Sequence, residues 1–247
     1  MMTVFYKINV CESPIAPVDR FVQAYFQQVF SFVEYNRFLG FFGKYLNILS
    51  TFAWNFIDIF IMTVGIALSE KFRQINLHLE KAKYKLTPES FWISSRTNYR
   101  NLCQLCEDID DAISPLTVLS FVNNLYFICG KFLKSIHKKE SLIHAAYFWF
   151  SLFYLVGRTF QLSVSMAKIN DESKGPLRIL RTVPRASWCK ETKRYTEEVT
   201  TGFVALSGMK FFVVTRGLII GVAGTIITYE LVLLQNTSED MNVYGCS

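Results

Sequence analysis

The 247-residue chain is 51% hydrophobic and 16% aromatic, with 23 phenylalanines, and only 19% of its residues are charged. Together with a mean hydropathy of +0.24, this excludes an ordinary soluble domain and points to a membrane protein. The length allows several spanning helices but excludes the twelve-helix transporter plans, and the net charge of +6 matters less than where the charges lie.

In chain order, residues 1–44 are expected to form an extracellular loop region. They lack the basic start, apolar core and small-residue cleavage site of a signal peptide. An outside N-terminus without a leader is what a partial sequence missing its earlier spans would show. The first predicted span is Tyr45–Leu68, "YLNILSTFAWNFIDIFIMTVGIAL", whose single charge is Asp58. Residues 69–111 hold seven Lys and Arg, with Phe72, Ile75 and Leu79, then Leu102, Leu105 and Ile109, at helical spacing. They read as helical extensions of the spans into water, broken near Thr87 and Pro88, where Thr87, Glu89 and Ser90 offer a helix start.

The second span, Ala112–Gly130, carries no charge. A turn at residues 131–141 includes four lysines. The third span, Leu142–Ala167, carries Arg158. Residues 168–216 hold ten basic residues, and none follows Arg216. Within that region "GFVALSGMKFFVV", residues 202–214, is expected to be a short helix buried in protein or at the interface. The last span, Gly217–Gln235, carries Glu230, and residues 236–247 form a tail with an Asn-Thr-Ser triplet at 236–238 that fits a glycosylation acceptor. All four spans are expected to be helices, because an open strand in lipid leaves backbone groups unpaired. By the positive-inside rule the two basic regions are cytoplasmic. The spans then run inward, outward, inward and outward, with the lysine-bearing turn and the tail outside.

Six scattered cysteines include one Cys-x-x-Cys at Cys103 and Cys106, without a second pair or a nearby histidine. They read as helix-surface thiols in a reducing cytosol rather than a zinc or redox site. No phosphate loop, metalloprotease or hydrolase motif, or paired catalytic carboxylates appear, so there is no candidate enzyme, metal or cofactor constellation.

Polar residues inside spans are candidate functional groups. On the last helix Gly221, Thr225, Thr228, Val232 and Gln235 share one face. Two readings stand: a helix–helix contact with Gly217 and Gly221 in a GxxxG approach, or a pore wall whose threonine and glutamine dipoles, repeated by symmetry, replace part of an ion's hydration shell. Glu230 points away from that stripe. Arg158 is a candidate partner for it, but their depths do not match. On the first span Trp54 and Asp58, four residues apart, place an aromatic plate beside a carboxylate. That pairing suits a sugar, whose C–H face stacks on the ring while hydroxyls donate to the carboxylate. Asn123, Asn124 and Tyr126 on the second span and Tyr147 and Trp149 on the third fall in the same outer half. Together they make a mixed aromatic and polar cavity, with an aromatic interface belt plus structural Asn and Asp as the alternative.

The chain resembles the C-terminal part of an insect gustatory receptor, in its sugar-receptor branch. The family's last helix carries Thr-Tyr, five mostly apolar residues and Gln-Phe; here these are Thr228, Tyr229, Glu230–Leu234 and Gln235. The glutamate after the tyrosine resembles the sugar branch, as do "FAWNFIDIFIM" with "KFRQIN", "DESKGPLRILRTVP" and "VALSGMKFF" leading to "TRGLIIGVAGTIITYELVLLQ". The resemblance covers residues 21–235 and departs at Asn236, where the family has phenylalanine.

It implies an all-α polytopic membrane protein, of which this chain holds the last four of seven transmembrane helices. It also implies a homo- or hetero-tetramer with related subunits around one cation pore in the plasma membrane of taste neurons. A sugar would bind in an outer pocket, for which Trp54, Asp58, Asn124, Tyr126 and Trp149 are the candidates. Thr225, Thr228, Val232 and Gln235 would line the pore, and residues 168–214 would join a cytoplasmic anchor where subunits meet. The alternatives are an odorant-receptor-like channel subunit, a non-conducting co-subunit and, behind these, a transporter fragment.

Overall fold

A computed structural model describes residues 30–31, 34, 36–135 and 142–243. Long helices dominate: α1 Arg37–Glu80, α2 Glu89–Ser135, α3 Leu142–Ser173 and α6 Arg216–Val243. Between α3 and α6 lie the short helices α4 Gly175–Leu180 and α5 Lys190–Thr201, a single 3₁₀ turn at Arg185–Ser187, and the strands β1 Ser207–Gly208 and β2 Phe212–Val213. The break between α1 and α2 falls at residues 81–88, around the expected Thr87 and Pro88.

The apolar runs of α1 and α2 are long enough to cross a bilayer. Only 22% of the first and 33% of the second is buried within the chain, so Phe52, Phe56, Ile59, Phe60, Leu119 and Val122 stand exposed. A soluble protein would have to hide such a surface; acyl chains cover it at no cost. The shorter apolar run of α6 reaches Tyr229, and the helix itself continues past Gln235 to Val243.

Two compact units divide the chain: residues 1–57 with 138–151, and residues 58–137 with 152–247. The second unit holds the largest fully buried side chains, among them Trp92, Tyr195, Phe72, Leu162, Met166 and Leu206. In this unit α1 and α3 run parallel and in register. A Cβ added to Gly65 would lie 3.0 Å from the Ser165 carbonyl oxygen, and seven residues earlier on each helix Asp58 pairs with Arg158. Seven residues are two turns, so matched spacing on both helices requires the same chain direction. This is the relation that an inward first span and an inward third span need.

Farther along, Asn76 Nδ2 donates to the Glu172 carbonyl at 2.9 Å. Gly175 leaves room for that amide, since a Cβ there would sit 2.2 Å from Asn76 Nδ2. The Phe72 and Tyr99 rings meet edge to face at 5.9 Å, fixing α1 against α2, and Tyr99 donates to the Ser173 carbonyl at 3.1 Å. On α5, Thr192, Tyr195 and Val199 are buried on one helical face. Arg96 of α2 pairs with Glu191 at 2.8 Å and Glu198 at 2.7 Å, and Arg100 also pairs with Glu198.

The short helix expected at 202–214 does not form. α5 ends at Gly202, whose φ of −69° and ψ of 139° are extended, and the chain runs on into an antiparallel hairpin pairing Ser207 with Val213 and Gly208 with Phe212. The burial pattern explains the difference: Phe203 is exposed while Val204 and Leu206 are buried, a period of two that belongs to extended chain. Met209 and Lys210 take left-handed φ of 48° and 60° in the three-residue loop 209–211 that the register leaves between the strands. Gly208 is needed beneath it, because an added Cβ would lie 2.4 Å from the Phe212 ring.

Candidate functional site

The buried polar knot of the molecule is centred on Asp58, 2% exposed on α1. Ser120 Oγ of α2 donates to Asp58 Oδ1. Asn124 Nδ2, one turn further along α2, donates to Oδ2 at 3.1 Å. Arg158 of α3 brings Nε to 3.0 Å from the same Oδ2, and its Nη2 donates to Asn124 Oδ1 at 2.6 Å. A lone carboxylate or guanidinium here would carry a desolvation penalty of several kcal/mol, roughly. The pair, its charge-assisted contacts and the asparagine that faces both ions offset part of that penalty while tying three helices together.

Arg158 therefore meets Asp58, and the mid-span cation that spacing left without a partner has one. The available signal was composition: Asp58 and Arg158 are the only Asp, Glu, Lys or Arg in the first three predicted spans. Opposite single charges in lipid are expected to find each other.

The sugar candidates fall in different places. Asp58 and Asn124 are in direct contact within the second unit and are fully buried. Tyr126 is 72% exposed, edge to face with Phe127 at 5.5 Å. Trp54, half-buried, and Trp149, exposed and edge to face with Phe148 at 5.8 Å, lie in the first unit. With two hydrogen-bond donors on its oxygens and the Arg158 guanidinium 3.0 Å from Oδ2, Asp58 has little accepting capacity left for a hydroxyl.

On α6, Thr225, Thr228 and Val232 are exposed. The two threonine hydroxyls donate to the carbonyls one turn back, Thr225 to Gly221 at 3.0 Å and Thr228 to Gly224 at 2.9 Å. Tyr229 is 48% exposed. The side chains of Glu230 and Gln235 lie outside the described residues. A Cβ added at Gly221 or Gly224 meets nothing within 4 Å, so the small-residue stripe makes no close helix contact among the described residues. No described α6 residue through Val232 is fully buried.

The cysteine pair sits on α2, where burial pushes the Cys103 thiol up to about 11 and the Cys106 thiol up to about 12. Thiols held protonated at neutral pH are poor nucleophiles and poor metal ligands.

Parallel α1 and α3 joined by a buried ion pair, an antiparallel α2 hydrogen-bonded to that pair through Ser120 and Asn124, and a last helix with exposed flanks define a polytopic helical membrane protein. The chain is similar to the solved insect olfactory receptor OR5 from Machilis hrabei, with a TM-score of 0.58 at 16% identity over 72% of this chain and 47% of that one. The eugenol complex of the same receptor gives a TM-score of 0.56. A family model described as Trehalose receptor matches residues 1–246, and the chain belongs to that family. Among curated Drosophila melanogaster relatives it is 45% identical over 246 residues to gustatory receptor for sugar taste 64f, covering 100% of this chain and 52% of that receptor. It is 41% identical to gustatory receptor 5a for trehalose, over 97% of this chain and 54% of that receptor, and 41% identical to gustatory receptor for sugar taste 64a. The chain thus spans about half the length of the curated relatives it matches.

Proposed function

We propose that the complete protein is a gustatory receptor for sugars acting as a ligand-gated cation channel subunit in the plasma membrane of taste neurons. The observation that carries this reading is the identity of 41–45% with sugar-taste and trehalose receptors along nearly the whole chain. The chain also has the helical framework of an insect olfactory receptor.

The unburied α6 supports assembly with like or related subunits: its exposed Gly221, Thr225, Thr228 and Val232 leave a polar stripe free to face an axis. Four copies around one pore would place Thr225, Thr228, Val232 and Gln235 along the ion path. Trp54 and Trp149 in the first unit, and Asp58, Asn124 and Tyr126 in the second, are the sugar-site candidates. Asp58 acts there as the held counter-ion of Arg158 and orients Asn124. Gating follows if sugar binds the open arrangement more tightly than the closed one.

The test expresses the full-length parent, alone and with related subunits, and records cation current under a panel of sugars. Sugar-evoked current is expected, with permeation altered in Thr228→Ala and Gln235→Ala. Silence from a surface-expressed protein in every combination overturns the receptor reading, and unchanged permeation in both variants removes the pore assignment.

A further inference from the structure

The hairpin that replaces the expected helix joins α5 to α6, through Val214 and Thr215. Its attachment to α2 is specific. Asp110 of α2 is 8% exposed, and both of its oxygens are taken by one hairpin residue. Ser207 N donates to Oδ1 at 2.6 Å and Ser207 Oγ to Oδ2 at 2.7 Å. A two-point grip on a carboxylate fixes orientation as well as distance. Ser207 Oγ also accepts from Lys210 N at 3.3 Å, so the grip extends into the left-handed turn. On the other strand the Phe212 ring stands edge to face on Phe121 of α2 at 5.5 Å. Beyond the hairpin, buried Val214 donates to the Leu206 carbonyl at 3.0 Å, and Arg216, the first residue of α6, pairs with Asp171 of α3 at 2.6 Å.

The base of α6 therefore cannot tilt without moving the hairpin, and the hairpin cannot move along α2 without breaking the Asp110 grip. The same helix carries Ser120 and Asn124, which hold Asp58, ten and fourteen residues further on, about 15 and 21 Å at the helical rise, with Pro115 between. Pro115 removes one helical hydrogen bond within that stretch, yet the helix continues through it to Ser135, so a displacement at Asn124 reaches Asp110 along one element.

We infer that the Asp110–Ser207 clamp couples α2 to the pore-lining helix, with Asp110 a positioning residue that acts on α6 through Ser207. A sugar that shifts or turns α2 moves the base of α6 only while the clamp is closed. This rests on the channel reading above.

The test uses the full-length receptor in the subunit combination that responds best. Asp110→Asn, Ser207→Ala, the double variant and Ser207→Thr, which restores a hydroxyl, are compared for surface level, for sugar-dependent thermal stabilisation of the purified channel, and for current. Asp110→Asn and Ser207→Ala should each cut maximal sugar-evoked current per surface channel by about ten-fold or more, the size of a typical coupling free energy. The sugar concentration for half-maximal stabilisation should stay within about two-fold of the parent, the double variant should be no worse than the singles, and Ser207→Thr should recover most of the current.

Normal current in both single variants overturns the inference, and so does joint loss of binding and current or retention of both variants inside the cell, since each marks a purely structural contact. A parent that gives no sugar current sinks the functional reading and this inference together. A conducting parent with conducting variants sinks the inference alone.

Discussion

Asp58 and Arg158 illustrate how one residue's meaning depends on its partner. Alone, each is an ion held away from water; together, with Ser120 and Asn124, they form an ion-paired, hydrogen-bonded network that offsets part of that cost and joins three helices. Removing one charge leaves the other uncompensated. Asp58→Asn and Arg158→Gln should therefore each destabilise the fold by about 3–5 kcal/mol, while the double neutral variant loses markedly less, because no orphan charge remains. Thermal unfolding of the purified protein, read by retained monodispersity, measures the three; equal losses that simply add would show that the pair is not coupled. The residue scale was only partly legible in sequence. That Asp58 and Arg158 are lone opposite charges is visible from composition, but that they meet depends on the register between α1 and α3.

At the scale of elements, the packing of α1 against α3 hinges on Gly65. Its missing side chain lets the Ser165 carbonyl come as close as a Cβ contact of 3.0 Å would permit, which is the small-residue approach that spanning helices use in the absence of a hydrophobic drive in lipid. Gly65→Leu should pry these helices apart at the level of Ser165 and weaken the Asp58–Arg158 pair two turns away. The melting midpoint should drop by several degrees, about 1–3 kcal/mol in overpacking terms, and Gly65→Ala should drop it less. An unchanged midpoint in the leucine variant would remove the close approach from the account.

The hairpin at 207–213 shows where sequence reading misled. "GFVALSGMKFF" is apolar enough for a helix, and only the alternation of Phe203 out and Val204 and Leu206 in reveals extended chain. That alternation is short and mixed with glycines, so the composition outweighed the period. The extensions of α1 and α2, by contrast, were legible through Phe72, Leu79 and Leu102, which are buried, although Ile75 and Ile109 are half-buried and Leu105 is exposed.

For the whole molecule, parallel α1 and α3 with an antiparallel α2 fit an alternating order of spans in either sense. The proposed orientation rests on charge alone: the ten basic residues of 168–216 fall on the side that the positive-inside rule calls cytoplasmic. An epitope placed after Ser247 should then be stained on intact cells. Staining that appears only after permeabilisation would invert the topology, and with it the outer placement of the sugar candidates.

The exposed flanks of α6 set a second expectation at this scale. A helix of 28 residues with no fully buried described residue through Val232 has its packing partners outside the described residues, and its small-residue stripe meets none of those described.

Sequence by itself determined the membrane class, the helical order and the family, because apolar run length, charge asymmetry and long matching runs are local properties of the chain. The buried ion pair, the clamp between Asp110 and Ser207, the hairpin and the unfilled side of α6 were decided by tertiary structure. Each depends on which turn of one helix lies beside which turn of another, and that register is set by the sum of contacts across elements, at Gly65 and Ser165 above all, rather than by any pattern along a single segment.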